Sequence, residues 1–325
     1  NVDDSHSVRI SRVLTEINKL NLETFRLGIV FADRYESFGF AIAISQNGLP
    51  LIHIEAGDIT MGGTYDDNVR HSISALSSLF ITTNQKAKRY LLKNDIHDNR
   101  IINCGIFTGE NYFKIISDNE IINKYHLKDK KYDFIVVFTY HPLSSFIEGQ
   151  IKELNQIHQA FKNLSERFNM RIIITGVNAD IGGEYVSKFI MKFKSFNADV
   201  SFHSTLGAKN YLGLMNYGKN EKVLVIGNSS SIVKEVPFFK CVGVLIGGRQ
   251  KGRQLAKNTI QIDADSIMIM RCIDNCIFNY EKIISQDNPY YVKDSVNKAA
   301  EFIHKIFSAN TNEIIKNIYE ELKYE

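Results

Sequence analysis

The sequence has only four cysteines, no long basic run and no apolar run of membrane-spanning length. Cys104, Cys241, Cys272 and Cys276 show neither CxxC spacing nor a zinc-type pairing with histidine. We therefore expect reduced thiols in a cytoplasmic protein. The net charge of +3 is too small to indicate a nucleic acid or an anionic membrane as a partner. A helix that spans a bilayer needs about 20 apolar residues, so we expect no membrane partner either.

The 325 residues, of which 44% are hydrophobic, are enough to bury two cores. Short apolar runs typical of strands alternate with helical patterns, and polar groups gather where the strands end. This pattern predicts two doubly wound, Rossmann-like α/β domains with parallel sheets that face each other across a cleft. We place the first domain at 1–118, the second at 119–290 and C-terminal helices at 291–325. The polar stretch 117–131 is expected to connect the domains.

The stretch 226–253 combines two features suited to a nucleotide. A predicted strand at Val223–Ile226 leads to Ser229, which opens a helix with Glu235 on its second turn. A helix start offers free N–H groups to a phosphate, and a carboxylate can accept hydrogen bonds from sugar hydroxyls. A second strand at Val242–Ile246 then runs into a basic, glycine-bearing loop that contains Arg249. A capping serine cluster beside a solvated basic loop is the alternative, but both features within one stretch favour a nucleotide.

Charged residues follow the predicted strands of the first domain. Asp33 and Arg34 come after the first strand, and Glu55 and Asp58 come after the second. In open α/β sheets the ligand crevice lies beyond the carboxyl ends of the strands, so these are candidate site residues. A capping aspartate with a surface arginine would explain the first pair equally well.

A helix predicted to begin at Asp66 or Asp67 carries Arg70 and His71. Asp66 and Arg70 are four residues apart and would share a helix face. A capping aspartate and an i,i+4 ion pair explain part of this pattern. They do not explain why acids, a histidine and glycines gather after one strand.

Two further candidates lie in the second domain. His141 follows the predicted strand Phe134–Phe138 and precedes Pro142, which restricts it to extended conformations at a crevice position. Asn178 and Asp180 follow the next predicted strand, and helix capping accounts well for Asp180.

The combination of GNSSS, the following glutamate and the GxRQKGR run resembles the hydrolysing UDP-N-acetylglucosamine 2-epimerases of sialic-acid- and legionaminic-acid-type pathways. The likeness covers nearly the whole chain, from Phe25 to about Ile262, and implies a glycosyltransferase-B-like fold whose C-terminal helices cross back to the first domain. Two positions depart from the family pattern: Ala32 replaces a glycine, and 105–111 replaces a Gly-x-Pro turn. Family members carry a strand and an arginine-bearing loop before the first helix of this sequence. We therefore expect the first domain to be incomplete at its N-terminus.

The resemblance implies elimination of UDP from a 2-acetamido sugar, followed by hydration of the glycal with inversion at C2. Arg34, Arg70 and His71 would orient the acid–base carboxylates. The implied catalytic residues are Asp33, Glu55, Asp66, Arg70 and His141. The implied UDP-binding residues are Arg34, His141, Asn178, Ser229, Ser230, Glu235 and Arg249. We expect no cofactor and no metal. We also expect a homodimer or a homotetramer.

Three other functions fit the same sequence. A non-hydrolysing epimerase would keep UDP bound through both steps, so free UDP would not be a product. A glycosyltransferase of this fold would need an acceptor. A non-catalytic nucleotide-sugar-binding protein would bind UDP without turnover.

Overall fold

A computed structural model describes residues 5–61, 66–107, 117–143, 147–176, 183–284 and 287–307 of the chain. The chain forms two compact units. The first comprises Asn1–Ile59, Tyr65–Glu110 and Val292–Glu325, and the second comprises Thr60–Thr64 and Asn111–Tyr291. Both contain a parallel sheet flanked by helices, so the predicted α/β class is confirmed. The domain boundaries at 118 and 290, and the function assigned to each domain, stay predictions.

The first unit contains a four-stranded sheet with its strands in chain order. The strands are β1 (Gly28–Phe31), β2 (Leu51–Ile54), β3 (Leu79–Thr82) and β4 (Ile101–Asn103). Its first helices are α1 (His6–Ile17), α2 (Tyr35–Gln46), α3 (Asp66–Ala75) and α4 (Gln85–Leu92). One face of the sheet buries Val30, Leu51 and residues of α2 and α3. Burial on both faces is what the near-continuous apolar strands predict for a parallel sheet.

The second unit contains six parallel strands in the order β10-β9-β8-β5-β6-β7. The strands are β5 (Phe134–Thr139), β6 (Met170–Thr175), β7 (Asp199–His203), β8 (Val223–Gly227), β9 (Val242–Ile246) and β10 (Thr259–Ile262). The helices are α5 (Asp118–Tyr125), α6 (Ile147–Ser165), α7 (Gly183–Ile190), α8 (Gly207–Asn216), α9 (Ser230–Lys234), α10 (Ser266–Phe278) and α11 (Tyr280–Ile284). The strand order reverses between β5 and β8. In doubly wound sheets that switch point is where ligands bind.

The last described helix, α12 (Ser295–Phe307), belongs to the first unit. Ala299, Phe302 and Ile303 of this helix pack with Ile52 and Leu79 in the sheet core. Helix α12 therefore packs in the core of the first unit. The second predicted C-terminal helix, at 311–323, lies outside the described residues.

The interpretation of 117–131 as a simple connection is wrong. Most of this stretch forms α5, which belongs to the second unit. Ser117 and Glu120 cap the helix reciprocally, and Ile121 and Tyr125 are buried. The high content of Lys and Asn suggested a connection, because the apolar side of this amphipathic helix is narrow. Within the described ranges no helix is long and apolar enough to cross a membrane.

Candidate functional site

The switch point of the second sheet depends on one glycine. The β5–β8 pairing ends at Thr139 and Gly227. Gly227 has φ +146°, and a Cβ there would lie 1.7 Å from the carbonyl oxygen of Thr139. Only glycine permits this approach, which brings the residues after both strands together.

Asn228 links three segments at this point. Its Oδ1 accepts a hydrogen bond from the backbone N–H of His141 at 2.7 Å, and its Nδ2 donates to the carbonyl of His141 at 2.8 Å. The carbonyl of Asn228 accepts from Gln250 Nε2 at 3.1 Å and from Arg249 Nη1 at 3.4 Å. The sequence indicated only a turn at this residue. The feature that could have indicated this role is an asparagine directly after the glycine that ends a strand.

A cavity of about 450 Å³ opens at the carboxyl ends of β5, β6, β7 and β8. His141, Ser229 and Glu235, three of the predicted nucleotide-binding residues, line it. Ser230 begins α9 and Arg249 follows β9, and neither is among the described lining residues. Asn178 lies outside the described residues. Other polar or glycine residues that line the cavity and were not predicted as binding residues are Thr139, Thr175, Gly176, Ser204, Thr205, Gly207, Tyr211 and Ser231.

Hydroxyl groups form a chain along one wall of this cavity. Ser231 Oγ donates to Ser229 Oγ at 3.0 Å, and Tyr211 Oη lies 2.7 Å from Ser231 Oγ. Burial, with the charge of Glu235, raises the pKa of Tyr211, so the phenol remains neutral. Ser229 is the N-cap of α9, while Glu235 is its C-cap because the helix has a single turn. The capping role and the ligand-facing position therefore coincide at Ser229.

Arg70 organises the candidate residues of the first unit. This side chain is 1% exposed and forms ion pairs with Asp33 and Asp67. Its Nη1 also donates to the carbonyl of Asp58 at 3.0 Å. Burial lowers the pKa of Arg70, but the carboxylates of Asp33, Asp58 and Asp67 outweigh this and raise it. The arginine thus joins the turn after β1 to the loop after β2 and the start of α3.

The turn after β1 has a second support that the sequence did not reveal. Ala32 has φ +56°, a conformation that favours glycine, the residue that the family pattern has at this position. The buried His53 contacts the carbonyl of Ala32 through Nε2 at 2.8 Å and Ser74 Oγ through Nδ1 at 3.0 Å. A carbonyl only accepts, so Nε2 carries the proton and Ser74 donates to Nδ1.

The remaining candidate residues of the first unit are Glu55, Asp66, His71 and Arg34. Glu55 is buried with φ +64°, directly after β2. Asp66 begins α3, as predicted. The ring of His71 lies tilted against that of Tyr90 with centroids 4.8 Å apart, and burial lowers the pKa of His71. Arg34 is exposed and pairs with Glu36 at 3.1 Å.

The strand order, the glycine-dependent switch point and the polar cavity beside it define an α/β protein of the glycosyltransferase-B-like class. The family model described as "UDP-N-acetylglucosamine 2-epimerase" matches residues 1–304. The chain belongs to this family.

Similar proteins agree with this assignment. "Polysialic acid biosynthesis protein P7" of Escherichia coli is 33% identical over 91% of this chain and 74% of its own length. "GDP/UDP-N,N'-diacetylbacillosamine 2-epimerase (hydrolyzing)" of Campylobacter jejuni is 32% identical over 74% of this chain and 60% of its own length. A Staphylococcus aureus MnaA–UDP co-structure superposes with a TM-score of 0.75 at 18% identity, covering 95% of this chain and 83% of that chain.

Proposed function

We propose that the protein is a hydrolysing 2-epimerase that acts on UDP-N-acetylglucosamine or a related UDP-2-acetamido sugar. The observation that carries this proposal is the switch-point cavity, which gathers His141, Ser229 and Glu235 in a chain of the epimerase family. The hydrolysing branch is favoured by the Campylobacter jejuni relative, whose name states that activity. A homodimer or homotetramer stays a prediction.

The nucleotide would occupy the cavity of the second unit. Glu235 would accept hydrogen bonds from the ribose, and the Ser229 and Ser230 segment would donate N–H groups to a phosphate. His141 and Arg249 contact the same residue, Asn228, from the loops after β5 and β9. Their shared attachment supports a joint role in holding the diphosphate. Asn178 is retained as a proposed nucleotide contact.

The reacting sugar would use the carboxylates of the first unit. Asp33, Glu55 and Asp66 are the proposed acid–base groups, with Arg70, Arg34 and His71 orienting them. The ion pair between Arg70 and Asp33 supports this, because it fixes one carboxylate on a buried, permanently charged partner.

The proposed reaction has two steps. A base removes the proton from C2, the C1–O bond to the diphosphate breaks, and its electron pair leaves with UDP, which gives a C1=C2 glycal. Water then adds hydroxyl to C1, and C2 takes a proton on the opposite face. General-base catalysis and stabilisation of the leaving charge are the two contributions required of the protein. Arg249, His141 and the N–H donors near Ser229 would stabilise the leaving group.

Turnover of UDP-2-acetamido sugars in deuterium oxide tests the proposal, with products followed by mass spectrometry and NMR. We expect free UDP and a free 2-epimerised sugar that carries deuterium at C2. An epimer still attached to UDP would assign a non-hydrolysing epimerase, and transfer to an acceptor would assign a glycosyltransferase. UDP binding without turnover would leave a binding protein. A panel of sugars with different 4- and 6-substituents, offered on both UDP and GDP, identifies the substrate.

A further inference from the structure

We propose that Asn228 is a positioning residue that sets His141 and Arg249 relative to each other and so produces a preference for diphosphate over monophosphate. The inference rests on the proposed nucleotide site. Asn228 itself would not contact the ligand; it would act through the two residues that do.

The side chain of Asn228 makes two hydrogen bonds to the backbone of His141. Oδ1 accepts from the N–H at 2.7 Å and Nδ2 donates to the carbonyl at 2.8 Å, so both groups of one amino acid are held by one carboxamide. The two hydrogen bonds resemble one further backbone pair of the β5–β8 ladder, beyond its last pair at Thr139 and Gly227. Asn228 is 1% exposed, which keeps the carboxamide from meeting a ligand.

The backbone of Asn228 engages the loop after β9. Its carbonyl accepts from Gln250 Nε2 at 3.1 Å and from Arg249 Nη1 at 3.4 Å. Its N–H donates to the carbonyl of Thr139 at 3.1 Å, which fixes the residue against β5. One buried residue therefore determines the separation between the His141 loop and the Arg249 loop.

This separation matters chiefly for the second phosphate of a nucleotide. A diphosphate spans two groups, and simultaneous contact requires both at the correct distance. A monophosphate can be held by either group alone. Loss of positioning should therefore weaken UDP more than UMP, whereas a general loss of stability would weaken both to the same extent.

Calorimetric titration of the intact chain with UDP and UMP tests this with Asn228→Asp and Asn228→Ala. Asn228→Asp lacks the amide group that donates to the carbonyl of His141 and adds a negative charge. Asn228→Ala lacks both side-chain hydrogen bonds to His141 and adds no charge. We expect the ratio of UMP to UDP dissociation constants to fall about tenfold in each, the scale for charge-assisted hydrogen bonds. UDP affinity should be lowest in Asn228→Asp.

Asn258→Asp is the matched control. Asn258 is also buried, and its Nδ2 donates to the carbonyls of Cys241 and Val236 at the opposite end of β9. This variant should lower the melting temperature while keeping the wild-type ratio.

If the Asn228 variants do not fold, Gln250→Ala carries the test, because it removes one donor to the Asn228 carbonyl and should lower the same ratio. Folded variants with the wild-type ratio overturn the inference. A wild-type chain that does not bind UDP overturns the proposed function instead, so the two failures are distinguishable.

Discussion

Tyr140 Oη donates a hydrogen bond of 2.6 Å to Glu153 Oε2, directly beside the strand end that carries His141. Glu153 reaches this position from α6 and also lies against the loop after β9. Gly247 in that loop has φ +77°, which favours glycine, and a Cβ there would lie 2.7 Å from Glu153 Oε2. One half-buried acid therefore supports two loops of the candidate nucleotide site.

Glu153→Gln should alter the pH dependence of stability. Burial raises the pKa of Glu153 and the nearby Asp263 raises it further, while the bond from Tyr140 partly offsets this. A raised folded-state pKa contributes stability below the unfolded value of about 4.3, and this is lost as the pH rises through the folded value. Glutamine keeps an acceptor for Tyr140 but does not ionise. Urea unfolding from pH 4 to 8 should therefore show a smaller loss for the variant, whereas a slope unchanged from wild type contradicts the assignment. Glu148→Gln, an exposed change on α6, is the control.

His53 should make the protein sensitive to acid. Burial lowers its pKa to about 4, and the bond to the Ala32 carbonyl only partly offsets this. A depressed folded-state pKa gives stability that is present above the unfolded value of about 6.5 and lost as the pH falls to about 4. The loss amounts to about 3 kcal/mol. His53→Gln should be less stable than wild type at pH 7 but lose less stability on acidification. An exposed change, His304→Gln, should reproduce the wild-type profile in thermal melts, and an equal profile for His53→Gln would refute the prediction.

Arg249→Ala should weaken UDP binding by about 1.5–3 kcal/mol, the range for hydrogen bonds to charged groups. Calorimetry measures the change directly. Lys251→Ala removes a charge from the same loop at an exposed position and should have a much smaller effect. Equal UDP affinity in a folded Arg249→Ala protein would remove this residue from the proposed site.

Glu55→Gln should lower turnover about a hundredfold or more, because general acid–base groups contribute on that scale. UDP affinity should remain nearly unchanged, since the carboxylate is assigned to the sugar and not to the diphosphate. Single-turnover assays and calorimetry separate the two effects, with the exposed Glu301→Gln as control. A variant that turns over at the wild-type rate would exclude Glu55 from the chemistry.

Much of the fold could be predicted because local patterns determine it. Apolar runs predicted the strands Val223–Ile226 and Val242–Ile246, and the structure has β8 at Val223–Gly227 and β9 at Val242–Ile246. His141 and Ser229 were predicted to share a site from the family resemblance and from a topological rule, since carboxyl ends of parallel strands meet at one edge. Both line one cavity.

The contacts that support the site could not be predicted, because they join residues distant in sequence. Asn228 and His141 are 87 positions apart, and nothing in either local pattern indicates their pairing. His53 was part of a strand in the sequence, and its link to Ala32 appears only once β1 and β2 are aligned. Glu153 was one of several acids on a long helix. In each case a buried polar group found its partner through tertiary packing.

The return of α12 to the first unit has a consequence for biosynthesis. Ile52 and Leu79 are synthesised early, yet Ala299, which packs against them, is made about 200 residues after the end of β4 at Asn103. At ordinary translation rates that interval lasts about 10–40 s. During this time the apolar sheet face of the nascent first unit is uncovered, while residues Asn111–Tyr291 of the second unit are synthesised. The half of the protein that is made first is therefore completed last, and its exposed face is a natural substrate for chaperones.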